Sequence, residues 1–212
     1  MNAPISAALQ ALRDGRPVLV LDDALRENEG DVILAAATLT PAWMGWTIRH
    51  TSGYICAPMP QSWADRLDLP LMVEANEDPL RTAYAITVDA AEGVTTGISA
   101  TDRARTVGVL GSAESTATDL IRPGHVVPLR ARPGGVLERP GHTESAVELC
   151  DLAGLTPVAA IAELVDDDGE MLRADAVRAL GKSFDLPVLS VADIVAYRAS
   201  QPLTGEDARR LS

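Results

Sequence analysis

"PVLVLDDALRENEGDVILAAATL", residues 17–39, holds two apolar runs joined by a charged connection, and its reading decides the fold. The first run, 17–23, reads as a short apolar strand; the second resumes at Asp31 as another buried segment. Between them "RENEGD" (26–31) sets Glu27, Glu29 and Asp31 on alternate positions beside Arg26. In an extended segment residues two apart point to the same side, so the three carboxylates would converge where a buried strand runs out. Charges that close repel unless a cation or an arginine shares the space. A solvated acidic turn, partly neutralised by Arg26, is the plainer alternative. The position between two apolar segments favours a hard cation with oxygen ligands.

Outward from that stretch, helical spacing over 4–14 ends at Gly15, and Thr40 with Pro41 opens a helix "PAWMGWTIRH". "GYICAPM" follows as a strand and "PQSWADRLD" as a short helix, while 70–83 has no clear period and reads as a loop. "YAITVDA" alternates like a strand, and "EGVTTGISATDRARTV" passes through a turn into a helix capped by Ser99 or Thr101. Residues 121–144, rich in glycine and proline, cannot form a long helix. A helix from Thr143 stops at Gly154, "PVAAIAELV" is a buried strand, "DDDGE" a turn, and helices over 174–184 and 190–199 close the chain. Strands and helices mix without strict alternation, which predicts an α+β or α/β chain of one domain.

The 212 residues carry a net charge of −12 and are 47% apolar. A core of real size is expected, and phosphate backbones or anionic membranes would be repelled, so no nucleic-acid or membrane partner is expected. Cys56 and Cys150 lie far apart with no metal-like spacing, and Cys56 in "SGYICAP" reads as a small core residue. With no secretion signal or apolar span in view, the cytoplasm is the expected compartment. All 18 basic residues except Lys182 are arginine, and the apolar spacing around Lys182 predicts an exposed helix. Schiff-base chemistry needs a lysine amine; a metal is the better-placed electrophile for carbonyl chemistry.

Three histidines punctuate the chain. His50 ends a helix after Arg49, where positive charge suits the dipole, and reads as structural. His125 in "RPGH" and His142 in "RPGHTE" each follow a Pro-Gly pair on an irregular loop, with Arg122 and Arg139 at the same offset. Arg139, Pro140, Gly141, His142 and Thr143 precede or begin a helix, so free N–H groups and a guanidinium could cradle phosphate beside a metal-capable imidazole. An ordinary turn into a capped helix is the alternative. In "GVTTGIS", Thr95, Thr96 and Ser99 offer hydroxyl donors near a helix start. Glu163 stands inside an apolar strand, where burial would be costly; either the strand ends there or the carboxylate, driven toward a neutral pKa, serves as acid or base.

With these residues in hand, the chain resembles the 3,4-dihydroxy-2-butanone 4-phosphate synthase family. The resemblance is carried by "DDALRENEGD", "RHTSGYIC", "DAAEGVTTGISATDRARTV", "RPGHVVPLRARPGGVLERPGHTESAVELCDLAGL" and "ELVDDDGEM", in order over most of residues 15–173. It implies an α+β single domain spanning 1–212 without an appended GTP cyclohydrolase II domain, and a homodimer with sites at the subunit interface. It also implies Mg²⁺ or Mn²⁺, one or two per site, in a lyase of riboflavin biosynthesis acting on ribulose 5-phosphate. By matching positions, Glu27 and His142 correspond to metal ligands. Arg26, Glu27, Asp31, Thr96, Glu163 and the 139–143 loop correspond to substrate contacts; His125, Glu163 and Asp31 are the candidates for proton transfer. The family usually carries acidic residues where this chain has Ala24 and Leu25, and glycine where it has Thr51. Those departures leave open a relative acting on another sugar phosphate; a non-catalytic binding protein of the same fold is the alternative from another class.

Overall fold

The computed structural model describes residues 3–23 and 25–201, so Ala24 lies outside the described residues. Its centre is a mixed seven-stranded sheet in the order β4-β5-β3-β6-β2-β1-β7. The strands are β1 (Val18–Leu21), β2 (Gly30–Ala35), β3 (Cys56–Pro60), β4 (Val88–Ala90), β5 (Leu120–Ala131), β6 (Ala159–Glu163) and β7 (Val188–Ser190). The opening stretch folds as an antiparallel pair, β1 against β2, with Val20 opposite Asp31 and Leu21 opposite Gly30. On its far side β2 pairs antiparallel with β6, which sets Asp31 opposite Glu163.

Alternate residues of β1 and β2 feed two different cores. Leu19, Leu21, Val32 and Leu34 join one apolar cluster, whereas Val18, Val20, Ile33 and Ala35 join the other. Side chains of a strand point alternately to the two faces, so both faces are covered; this is why the runs read as continuous rather than alternating apolar sequence. One face is covered by α2 (Pro41–His50), α3 (Gln61–Arg66), α4 (Ala100–Gly111) and α7 (Ala174–Ser183), through Met44, Trp46, Ala64, Val107, Leu110 and Val177. The other carries α1 (Ala3–Arg13), α5 (Gly135–Glu138), α6 (His142–Leu152) and α8 (Val191–Ala199), through Ile5, Leu12, Val136, Leu149 and Ile194. Every residue of α6 from His142 to Cys150 is buried, which makes it the central helix of its layer.

Local signals set most boundaries. Thr40 accepts from the Trp43 N–H and Pro41 occupies the first helical position of α2; Ser99 caps α4 by accepting from Asp102 N. Gly154, with φ +71, ends the chain's run past α6. His50, the structural histidine, stacks between Trp46 and Phe184, with ring centroids 4.5 and 5.2 Å away.

Three expectations are corrected. "YAITVDA" is regular only over Val88–Ala90, with Tyr84 and Ala85 in isolated bridges. "RENEGD" is not extended: residues 25–27 turn and Asn28 takes φ +53, so the strand begins only at Gly30. The first "RPGH" is not a free loop but part of the long strand β5. Val88 pairs with Val126 while Asp89 pairs with Ile121, so one step on β4 spans five on β5 and residues 122–125 are thrown out of the ladder. The bulge is pinned by Gly124 N to Thr87 Oγ1 at 3.1 Å and His125 N to Asp89 Oδ1 at 2.9 Å. Arg122 is spent on the Ala117, Leu120 and Leu67 carbonyls, so it has no part like that of Arg139.

A Cβ on Gly124 would lie 2.0 Å from the Val88 carbonyl carbon and 2.2 Å from Asp89 N, both backbone atoms that cannot move aside cheaply. Gly124→Ala should therefore destabilise the protein by about 2 kcal/mol or more. In a thermal melt this would appear as a midpoint lowered by roughly 4–8 °C; an unchanged midpoint would refute this packing of the bulge.

Candidate active site

β1 ends by pointing Asp22 back beneath the turn that follows. Asp22, its side chain 1% exposed, accepts from Arg26 Nη1 at 2.7 Å and from the Glu27 backbone N–H at 3.1 Å. Arg26 Nη1 also lies 2.6 Å from Glu27 Oε2. The turn so held delivers Glu27, and β2 delivers Asp31, to one spot beneath the first residue of α6.

That residue is His142, which is not on a loop but buried as the opening residue of the helix. Its Nε2 lies 3.1 Å from the Val20 carbonyl oxygen, which can only accept, so Nε2 carries a proton and Nδ1 faces the acids. Nδ1 is 3.3 Å from Asp31 Oδ1 and 3.6 Å from Glu27 Oε2. Asp31 Oδ1 is buried and makes no hydrogen bond, as does Asp22 Oδ1 nearby.

The electrostatics follow from this crowding. Burial works against charge on His142, but the carboxylates of Asp31, Glu27 and Asp22 outweigh it and hold the imidazole up at about 9. Burial likewise opposes the charge of Glu27, yet its contact with His142 and the neighbouring Arg26 hold it down at about 2. Asp31 goes the other way: burial pushes it up to about 7 against the pull of His142, with Glu163, Glu27 and Glu29 adding their repulsion. Burial and the same acids raise Glu29. Of the two readings of Glu163, the structure bears out the first, since the strand ends there; the desolvated carboxylate is Asp31. Glu163 stands exposed at the end of β6, directly across the ladder from it.

The pocket is lined by Arg26, Glu27, Asp31, Arg139, His142, Thr143 and Glu163, with Tyr54, Cys56, Thr82, Tyr84, Leu129, Ile161 and Ala162 as walls. Cys56 is both core and wall. Arg139 is braced by Glu144 at 2.7 Å and donates to Thr82 Oγ1 at 3.1 Å and to the Leu80 carbonyl, which ties the 70–83 loop to α6. Gly141 sits between two guanidinium groups: a Cβ there would lie 2.8 Å from Arg139 Nη1 and 3.0 Å from Arg26 Nη2. It is also the N-cap of α6 and brings no side-chain cap, so the first-turn N–H groups face an arginine-flanked opening. Tyr54, Thr82, Tyr84 and Asp22 carried no signal in the sequence; the first three follow or precede irregular segments, and Asp22 reads simply as the end of a strand.

Two predicted residues are not brought here. Thr96 is exposed in the turn before α4, and His125 sits in the β5 bulge; neither lines the pocket. His125 is four residues from Leu129 of the pocket wall, about 13 Å along an extended strand. Of the departures, Leu25 is 98% exposed beside Arg26. Thr51 is buried at the end of α2 with φ −133, donates to the Thr47 carbonyl at 2.7 Å and does not line the pocket. Its hydroxyl serves the helix end, and the backbone there does not require glycine.

Among the described residues no group of three or more His, Cys, Asp and Glu is arranged to hold a metal. Glu27 and Nδ1 of His142 form a two-donor set instead, with an unsatisfied Asp31 oxygen beside it. Such a set suits a hard divalent cation that keeps several water or substrate oxygens, and fits poorly a closed structural zinc site.

Comparison with known proteins identifies the family. The family model described as 3,4-dihydroxy-2-butanone 4-phosphate synthase matches residues 6–197. The synthase of that name from Schizosaccharomyces pombe is 52% identical over 199 residues, which cover 93% of this chain and 98% of the relative. The riboflavin biosynthesis protein RibBA of Salinispora arenicola is 54% identical over 194 residues; the chain spans only 46% of that longer protein. A crystal structure of 3,4-dihydroxy-2-butanone 4-phosphate synthase in complex with two magnesium ions superposes with a TM-score of 0.90 at 45% identity, covering 93% of this chain and 97% of that one. The match over residues 6–197, the identity to full-length relatives and the shared fold point one way: the chain belongs to the 3,4-dihydroxy-2-butanone 4-phosphate synthase family.

Proposed function

We propose that the protein converts D-ribulose 5-phosphate to 3,4-dihydroxy-2-butanone 4-phosphate and formate, with Mg²⁺ or Mn²⁺, one or two ions per site. The observation that carries this reading is the convergence of Glu27, Asp31 and His142 in one pocket beside Arg26 and Arg139. The phosphate seats against Arg26, Arg139, Gly141 and the first turn of α6, with Pro140 and Thr143 shaping the opening. Glu27 and Nδ1 of His142 would hold the cation, which when bound would supply Lewis-acid stabilisation of the sugar's developing oxyanions. The Nε2–H bond to Val20 makes Nδ1 the ring nitrogen available to a cation, and because the surrounding carboxylates hold the free imidazole protonated, that nitrogen would give up its proton as the cation binds. Asp31, raised to about 7, can take or give a proton at neutral pH, and Glu163 across the ladder shares that work from the solvent side.

His125 and Thr96 enter the reading through a second copy of the chain. We place the site at the interface of a homodimer, in which each pocket receives His125 and Thr96 from the partner. Support comes from their lying outside the pocket and from half-exposed apolar residues beside them: Ile98 at 51% and Ile121 at 50%. Two buried free thiols suit a reducing compartment such as the cytoplasm. No described helix is long and apolar enough to cross a membrane.

Incubation with ribulose 5-phosphate and Mg²⁺ should release formate, and Glu27→Gln or His142→Ala should abolish it while Cys150→Ala leaves it intact. Equal rates for wild type and Glu27→Gln would end the proposal. Gly141→Ala should raise KM for the phosphorylated substrate by about tenfold, by pushing apart two guanidinium groups that each contribute on the order of 1.5 kcal/mol; an unchanged KM would remove the phosphate from this seat. Glu27→Gln and His125→Ala, each inactive alone, should recover about a quarter of wild-type activity when co-expressed, because half of random dimers are mixed and each mixed dimer has one intact site. No recovery in verified mixed dimers would place His125 outside the partner's pocket.

A further inference from the structure

A second cluster of polar groups lies at the β4–β5 edge. Asp89, only 8% exposed, grips His125 at two points: Oδ1 accepts from the backbone N–H at 2.9 Å, and Oδ2 lies 2.7 Å from Nδ1 of the ring. The contact is backed by Gly97, where a Cβ would fall 2.1 Å from Asp89 Oδ2 and 2.6 Å from His125 Nδ1. That glycine, at φ +89, belongs to a turn anchored on α4. Asp102 accepts from Thr95 N at 3.2 Å, Thr95 Oγ1 at 2.7 Å and Gly97 N at 3.1 Å. The histidine is therefore clamped at Nδ1 and at its backbone, while its side chain remains 42% exposed.

An ionised carboxylate can only accept, so its 2.7 Å approach places the ring proton on Nδ1. The neutral ring then keeps its lone pair on Nε2, the atom turned away from the clamp. We infer that Asp89 is a positioning residue that fixes His125 as the Nδ1–H tautomer and so makes Nε2 the nitrogen that exchanges protons with the substrate. This rests on the reading of His125 as a proton-transfer group. Pinning of the bulge alone would need only Oδ1; the second contact, closed over by Gly97, is what acts on the imidazole.

Asp89→Asn separates the two roles. The amide oxygen still accepts from the backbone N–H, but the amide nitrogen then faces Nδ1 and donates to it, which forces the proton to Nε2. With only three histidines in the chain, ring ¹H–¹⁵N correlation spectra resolve each, and His125→Ala identifies the signal. Neutral His125 should be Nδ1–H in the wild type and Nε2–H in Asp89→Asn. Formate release by Asp89→Asn should fall about 10- to 100-fold in kcat at unchanged KM. An Nε2–H ring in the wild type or wild-type turnover in Asp89→Asn would each overturn the assignment. The wild-type spectrum decides the tautomer even if Asp89→Asn fails to fold. Full activity of His125→Ala would instead remove the proton-transfer reading itself, whereas an inactive His125→Ala beside a fully active Asp89→Asn would remove only Asp89.

Discussion

The site depends on one buried histidine held from both sides, by a hydrogen bond at Nε2 and by facing carboxylates at Nδ1. Nε2 of His142 reaches the Val20 carbonyl 122 positions away in the chain, and Nδ1 faces Glu27 and Asp31. That single ring ties the start of α6 to β1, to the turn after it and to β2. Removing one partner from such a buried charged group typically costs about 3–5 kcal/mol, so the geometry of the acids and the seating of the helix are one problem. The same crowding drives neighbouring carboxylates apart in acidity: Glu27 down to about 2, Asp31 up to about 7. One becomes a permanent anion fit to hold a cation, the other a group that can exchange protons near neutrality.

Around that ring the sheet does the placing. Because β2 lies between β1 and β6, Asp31 is flanked by Val20 on one side and Glu163 on the other. The two arginines approach within a methyl group's reach of Gly141 at the uncapped end of α6. Asp22 and Asp89 play parallel parts at the ends of β1 and at β4: each is nearly buried, and each bonds both a backbone N–H and a functional side chain. At Asp89 both oxygens are answered, whereas at Asp22 one oxygen takes both bonds and Oδ1 stays buried without a partner, so there the Arg26 charge has to offset the burial.

Much of the fold was legible in local sequence. Thr40-Pro41 marks the start of α2, Ser99 caps α4, and Gly154 follows α6, because a cap or a left-handed turn is set by atoms a few residues away. The apolar runs at 17–21 and 31–36 announced strands buried on both faces. The bulge at 122–125 was not legible: a Pro-Gly pair looks the same in a loop and in a strand thrown out of register. Nor was the position of His142 on a helix, or the burial of Asp31 rather than Glu163. Asp31 opens one apolar run and Glu163 interrupts another, and only the neighbouring elements decide which one solvent reaches.

By itself, then, the sequence determined the strands and helices, the candidate residues of "RENEGD" and "RPGHTE", and the family to which they point, because periodicity, caps and motif chemistry are local properties. The tertiary structure alone decided that Glu27 and Asp31 share a ring nitrogen, that His125 answers to Asp89 outside that pocket, and which carboxylate is desolvated. These are outcomes of sheet order and strand register. A residue's electrostatic surroundings come from chain segments far away in sequence, and no short stretch carries that information.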